Sequence, residues 1–161
     1  MSFRAGDSVM HWVFGLGRVI RTEERDMLGG LTLYYAVQIE DMTIWVPEDE
    51  MLASRLRPPT TVDGFRKLQA ILKSDGDALP VDRHLRKNML IEMLKEGSAE
   101  SLCRVLRSLV TFRKERPLNE NDQAVYRRVE KALIGEWGTA LSVTPFEAET
   151  DLRSMLARNE A

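Results

Sequence analysis

Arg83, His84, Arg86 and Lys87 fall within five consecutive positions. The chemistry open to such a set is the neutralisation of phosphate. Several flexible cations on one surface hold a phosphodiester backbone by releasing its counterions, without reading base edges. More basic residues follow in groups: Arg104 and Arg107, then Arg113, Lys114 and Arg116, then Arg127, Arg128 and Lys131. For any one of these an ordinary surface cation is the competing reading.

Other chemistry is thin. The two histidines, His11 and His84, are far apart in the chain, and no serine sits in a nucleophile-elbow pattern. Gly15-Leu16-Gly17 lacks the third glycine and the strand-to-helix context of a dinucleotide site, and no phosphate-loop lysine follows it. Cys103 is the only cysteine, which excludes an intrachain disulfide and a Cys-rich zinc site. Its neighbours Leu102, Val105 and Leu106 point to a buried structural thiol. An enzyme would have to rely on a pair such as Cys103 and His84. No cofactor and no metal is expected.

The 161 residues suit one ordinary domain or two small ones, and the net charge is only −2. An anionic partner must therefore meet a local patch rather than a global field. Residues 1–57 carry 6 basic and 9 acidic side chains, residues 83–131 carry 12 and 7, and residues 132–161 carry 2 and 5. A basic middle lies between acidic ends. On charge alone, a solvated helix surface explains the middle equally well. The start MSFRAGDSV has no apolar core of a signal sequence and no run approaches 18 apolar residues. A cytoplasmic protein without a membrane span is expected.

The elements that must position these groups change character along the chain. Ser8–Phe14 reads as a strand, Gly15–Gly17 as a break, Arg18–Thr22 as a second strand, and Gly29-Gly30 as a turn. Leu31–Ile39 and Met42–Val46 form a hairpin about Glu40-Asp41, with Pro47 marking a strand end or an edge. Alternation puts Leu33, Tyr35, Val37, Ile39, Met42, Ile44 and Val46 inward. Tyr34, Ala36, Gln38, Thr43 and Trp45 then face outward. An outward Trp beside an outward Tyr suits a contact surface; burial of Trp45 under the rest of the chain is the alternative. Short strands and glycine turns in fewer than about 60 residues suggest a small SH3- or Tudor-like β-barrel.

Arg57-Pro58-Pro59 marks a boundary, and a helical period follows it. Thr61 caps a helix carrying Val62, Phe65, Leu68 and Leu72. Pro80 opens a second helix with Leu85, Met89 and Met93 inward, and Gly97 closes it. Ser98 caps a third with Leu102, Val105, Leu106 and Leu109. Asn119 caps a fourth with Tyr126, Val129 and Leu133, and Thr144-Pro145-Phe146-Glu147 opens a fifth. The fold class is thus α+β: residues 1–57 a small barrel, residues 58–161 a bundle of about five helices. The first basic group falls at the start of the second helix. Cations there oppose the helix dipole, which suggests another reason for their placement.

Four stretches in order, FRAGDSVMHWVFGLGRVI, YYAVQIEDMTIWVPEDE, LIEMLKEGSAESLCRVLRSL and RPLNENDQAVYRRVEKALIGEW, resemble the CarD/CdnL family through nearly the whole chain. The resemblance implies a Tudor-like polymerase-interacting domain, similar to that of transcription-repair coupling factor, which binds the RNA polymerase β subunit. It implies a helical domain that reaches promoter DNA at the upstream edge of the bubble and stabilises the open complex. The implied factor is no enzyme, needs no metal, and is a monomer when free. Candidate polymerase contacts are Arg25, Tyr34, Thr43, Trp45 and Pro47. Candidate DNA-backbone contacts are Arg83, His84, Arg86 and Lys87. The alternative is a module that uses the same barrel on another partner, such as a repair helicase, without regulating promoters. The chain departs from the family in two places. LPVDRHLRKNML has no aromatic residue where familiar members carry a Trp that wedges into the minor groove. Trp45 stands where some members have Arg.

Overall fold

A computed structural model describes residues 2–26 and 29–157. The chain divides into two compact units, Met1–Pro59 and Thr60–Ala161, each with its own hydrophobic core.

Among the described residues the first unit is a five-stranded antiparallel, barrel-like sheet. Strands β1 (Ser8–His11), β2 (Gly15–Asp26), β3 (Leu31–Ile39), β4 (Met42–Pro47) and β5 (Leu56–Arg57) take the order β4-β3-β2-β1-β5. A single turn, α1 (Leu52–Arg55), leads into β5. Neither α1 nor β5 was expected, because four and two residues are too few to show a period. Gly15–Gly17 is not a break: these residues open β2, and the turn is Trp12–Phe14. Gly17 is a packing position. A Cβ there would lie 2.6 Å from Ile39 Cγ1 and 2.9 Å from both the Gln38 carbonyl oxygen and Val37 Cγ1.

Alternation gave the β3–β4 faces well. Tyr35, Val37, Ile39 and Val46 are buried with Val9, Val19, Leu52 and Leu56, and Leu33 and Ile44 pack at the margin. Met42 is the exception; it is exposed, in the last pair beside the turn. Pro47 ends β4, an edge strand, where its missing N–H leaves no gap in the ladder. The Tyr35 hydroxyl accepts the Phe3 N–H at 3.4 Å, and burial raises the phenol pKa.

Among the described residues the second unit has five helices: α2 (Val62–Leu72), α3 (Arg83–Lys95), α4 (Ala99–Glu115), α5 (Glu120–Leu141) and α6 (Pro145–Ala157). Thr61 and Ser98 cap α2 and α4 by accepting the N–H groups of Gly64 and Ser101, each at 3.1 Å. Asn119 and Asp122 form a reciprocal capping box on α5. The most buried helix, α4, packs against α2, α3 and α5 and carries Cys103 in its core face. The unit is fastened at its entry: both the N–H and the hydroxyl of Thr60 donate to Glu136 Oε2, each at 2.6 Å. Among the described residues no helix is long and apolar enough to cross a membrane, and no group of three or more His, Cys, Asp or Glu could hold a metal ion.

The Gly17 contacts give a direct test. Gly17→Ala should destabilise the sheet unit by about 1–3 kcal/mol through overpacking. Urea denaturation of the full chain should show the loss, and an unchanged midpoint would mean the strands can part at no cost.

Candidate nucleic-acid interface

Helix α3 begins three residues later than the position of Pro80 suggests. Asp82 is its cap, accepting the N–H groups of His84 at 2.9 Å and Leu85 at 3.0 Å. Those bonds, Leu85's first, hold the Asp82 carboxyl below the usual carboxylate range. The capping carboxylate also offsets the dipole cost of placing cations in the first turn.

The four cations of this turn do not act together. Arg83, His84 and Lys87 are exposed, whereas Arg86 is only 4% exposed and points into the bundle. Its Nε lies 3.0 and 3.1 Å from the two Asp122 carboxylate oxygens, and Nη2 lies 2.9 Å from Oδ2. Nη1 donates to the carbonyls of Pro80 at 3.2 Å and Val81 at 2.9 Å. The guanidinium also sits 4.6 Å over the Phe112 ring. Arg86 is therefore a buried structural residue and cannot serve as an exposed DNA contact. The expected stripe of Leu85, Met89 and Met93 is rotated to match. Arg86, Leu90, Met93 and Leu94 face the core, Met89 packs at its edge, and Leu85 is 60% exposed.

Two more cations of the sequence pattern are also committed internally. Arg104 pairs with Asp77 at 2.9 Å. Arg107 is buried, and its Nη1 donates to the carbonyls of Leu72 at 3.0 Å and Leu156 at 2.7 Å. With Arg104, α4 straps down the loop that leads to α3. Ser108 Oγ accepts the Asp77 N–H at 2.9 Å, and Thr111 donates to the Asp75 carbonyl at 2.8 Å. Arg113, Arg116, Arg127 and Lys131 remain exposed.

The sheet unit carries a second cationic surface. On the outer face the register sets Arg21 beside Ala36 and Ala36 beside Trp45, with Glu23 beside Tyr34 and Tyr34 beside Pro47. The Arg25 guanidinium lies 4.1 Å from the Trp45 ring centre and 5.7 Å from that of Tyr34, and the Arg21 guanidinium lies 5.0 Å from Trp45. Glu23 links the two arginines at 3.9 and 3.5 Å. Ala36 faces outward as its alternation requires, yet it is fully buried, because Arg21 and Trp45 meet above it. Thr43 stands further along β4, its hydroxyl donating to Gln38 Oε1 at 2.8 Å. Thus Arg25, Tyr34, Trp45 and Pro47 form one patch, with Thr43 at its margin.

A family model described as CarD, C-terminal domain, matches residues 67–153, more than half of the chain. The chain belongs to the CarD family. It is also similar to the Bacillus subtilis (strain 168) protein "Putative transcription factor YdeB", at 24% identity over 144 residues, which cover 88% of this chain and 94% of that protein. A match of that length exceeds the helical unit and takes in part of the sheet. The role that follows is that of a CarD-like transcription factor.

In this CarD chain the region matched by the family model contains α3 and both ends of the Arg86–Asp122 and Arg104–Asp77 pairs, whereas the Glu136 and Arg107 ties reach outside it to Thr60 and Leu156. Sequence reasoning missed the function of all three carboxylates. Asp122 could be seen only as a favourable acidic residue in the first turn of α5, although it also neutralises Arg86.

The ion pair gives a prediction about stability. Arg86→Ala leaves Asp122, 1% exposed, without its counterion, and should cost about 3–5 kcal/mol. Arg83→Ala, on the exposed flank, should change stability by less than about 0.5 kcal/mol. Equal midpoints for the two variants in chemical denaturation would contradict the buried placement of Arg86.

Proposed function

We propose that this CarD-like factor binds the RNA polymerase β subunit through the outer face of its sheet unit and stabilises the promoter open complex through the start of α3. Arg25, Tyr34, Trp45 and Pro47 form the polymerase patch, with Thr43 at its edge. Arg83, His84 and Lys87 contact DNA phosphates near the bubble edge. The protein works in the cytoplasm, at the nucleoid through polymerase, and is a monomer when free.

The observation that carries this reading is that each unit has a surface bearing cations: on the sheet Arg21 is exposed and Arg25 half-buried, with Glu23 between them, and on α3 Arg83 and Lys87 are exposed. On the sheet, Trp45 does not remove the charge that an Arg would bring, because Arg21 and Arg25 stack on its ring. Cation–π contacts of this kind contribute about 0.5–1 kcal/mol at exposed sites and hold the guanidinium planes in place. A patch built this way offers a partner both apolar area and positive charge. On the helical unit, the cap and the Arg86 ties fix the first turn of α3, so that Arg83 and Lys87, four residues apart, share one flank. Leu85, exposed among these cations, is aliphatic and offers no ring for stacking on a base. Contact is therefore to the backbone, sequence-tolerant and strongly salt-dependent.

Two measurements test the proposal. Trp45→Ala should cost at least about 2 kcal/mol of binding in a titration against a β-subunit fragment, with circular dichroism unchanged. Unchanged affinity would remove the sheet face from the account. Arg83→Glu with Lys87→Glu should shorten open-complex lifetime after a competitor challenge while leaving β-subunit binding intact. Decay at the wild-type rate at both low and high salt would show that this turn does not hold DNA.

A further inference from the structure

A groove of about 430 Å³ opens where α4 ends and α5 begins, lined by Arg113, Pro117, Leu118, Gln123, Tyr126 and Arg127. We propose that it binds a nucleotide unit, a flat base joined to a phosphate. This goes beyond the duplex-backbone contact assigned to α3.

The lining has two parts that match such a ligand. Pro117, Leu118 and the Tyr126 ring give an apolar wall, and Arg113 and Arg127 give charge; among the described residues no carboxylate lines the groove, and Glu130 reaches the lining at the Tyr126 hydroxyl. The Arg113 guanidinium lies 5.2 Å from the Tyr126 ring centre, which holds that cation beside the aromatic wall. Neither Arg113 nor Arg127 has a carboxylate partner among the described residues. A base suits the wall, because every base presents a flat π-face to an aromatic or guanidinium plane. A phosphate suits the two guanidinium groups. The volume falls in the range of roughly 300–1,000 Å³ typical of small-ligand sites.

The groove is also preformed. Gln123 Nε2 donates to the Leu118 carbonyl at 3.0 Å, and the Asn119–Asp122 box fixes the first turn of α5. Across Tyr126, a second hollow of about 370 Å³ includes Arg153 in its lining. That cation is already neutralised by Glu130 at 3.2 Å and Glu149 at 2.9 Å. The anion is therefore assigned to the Arg127 side.

A nucleotide unit could come from single-stranded nucleic acid or from a free nucleotide. The test is backbone amide shift mapping of the full-length protein with three probes: a twelve-residue oligothymidylate, adenosine triphosphate, and inorganic phosphate as a charge control. The oligonucleotide, the triphosphate or both should shift the amides of Leu118, Gln123, Tyr126 and Arg127, and inorganic phosphate at equal concentration should not. Response to the oligonucleotide alone assigns the single strand as source; response to the triphosphate alone assigns the free nucleotide. Arg127→Ala, an exposed change, should weaken the responding probe at least about tenfold. Tyr126→Phe should retain binding, because the ring is kept. Arg66→Ala, an exposed cation of α2 outside the groove lining, should leave it unchanged, which separates this site from a general loss of positive charge. The proposal is overturned if neither nucleotide probe shifts these amides, if phosphate alone matches them, or if Arg127→Ala binds like the wild type.

Discussion

The buried pair of Arg86 and Asp122 is the constraint on which the helical unit depends. Arg86 reaches three elements at once: α5 through Asp122, the loop before α3 through the carbonyls of Pro80 and Val81, and α4 through the Phe112 ring. Removing two charges from water is costly, and a buried pair often contributes little net stability compared with apolar residues. Its contribution here is orientation. With Arg86 held inward, helical geometry leaves Arg83 and Lys87 on one flank and His84 beside Lys87, on the side away from Arg86. Asp122 adds a second constraint, because it also accepts the Asn119 N–H at 3.1 Å and so ties the pair to the cap of α5.

The two units reach a similar surface chemistry by different routes. In the helical unit the cations are held indirectly, by caps and by carboxylates beneath them. In the sheet unit they are held directly, each guanidinium lying on an aromatic ring from the neighbouring strands. Ala36 makes the second arrangement possible: a larger side chain on β3 would separate Arg21 from Trp45. The first route fixes the backbone that carries the cations; the second also reduces the rotamer freedom of Arg21 and Arg25 before any partner arrives, which lowers the entropic cost of binding. Family membership gives this chemistry its context, a transcription factor of the CarD type.

Much of this was legible in the sequence, and the failures share a cause. Alternation read the β3–β4 hairpin and its outward Trp45 because one residue period separates the faces. Caps at Thr61, Ser98 and Asn119 were legible because each is a local pattern. The fates of Arg86, Arg104 and Arg107 were not. Their partners Asp122, Asp77 and the Leu156 carbonyl lie 36, 27 and 49 positions away, and a periodic reading counts an arginine as polar wherever it stands. The same blindness rotated the apolar stripe of α3 by one residue, exposing Leu85 and burying Arg86. Gly15–Gly17 was misread for a related reason. Glycine marks turns, but Gly17 is needed because Val37 and Ile39 crowd the strand beside it.

The central claim is a division of labour within one helical turn: Arg86 organises, and Arg83 and Lys87 contact phosphate. It is tested most directly by the salt dependence of DNA affinity in the full-length protein. Three proteins suffice: the wild type, Arg83→Ala, and the double variant Arg86→Met with Asp122→Leu, which replaces the buried pair without leaving one charge alone. Each phosphate contact contributes about 0.9 to the slope of log affinity against log salt on duplex DNA. Arg83→Ala should lower the slope by about that amount, and the double variant should keep the wild-type slope. A double variant that is folded yet loses as much slope as Arg83→Ala would contradict the account, because Arg86 would then be a phosphate contact itself.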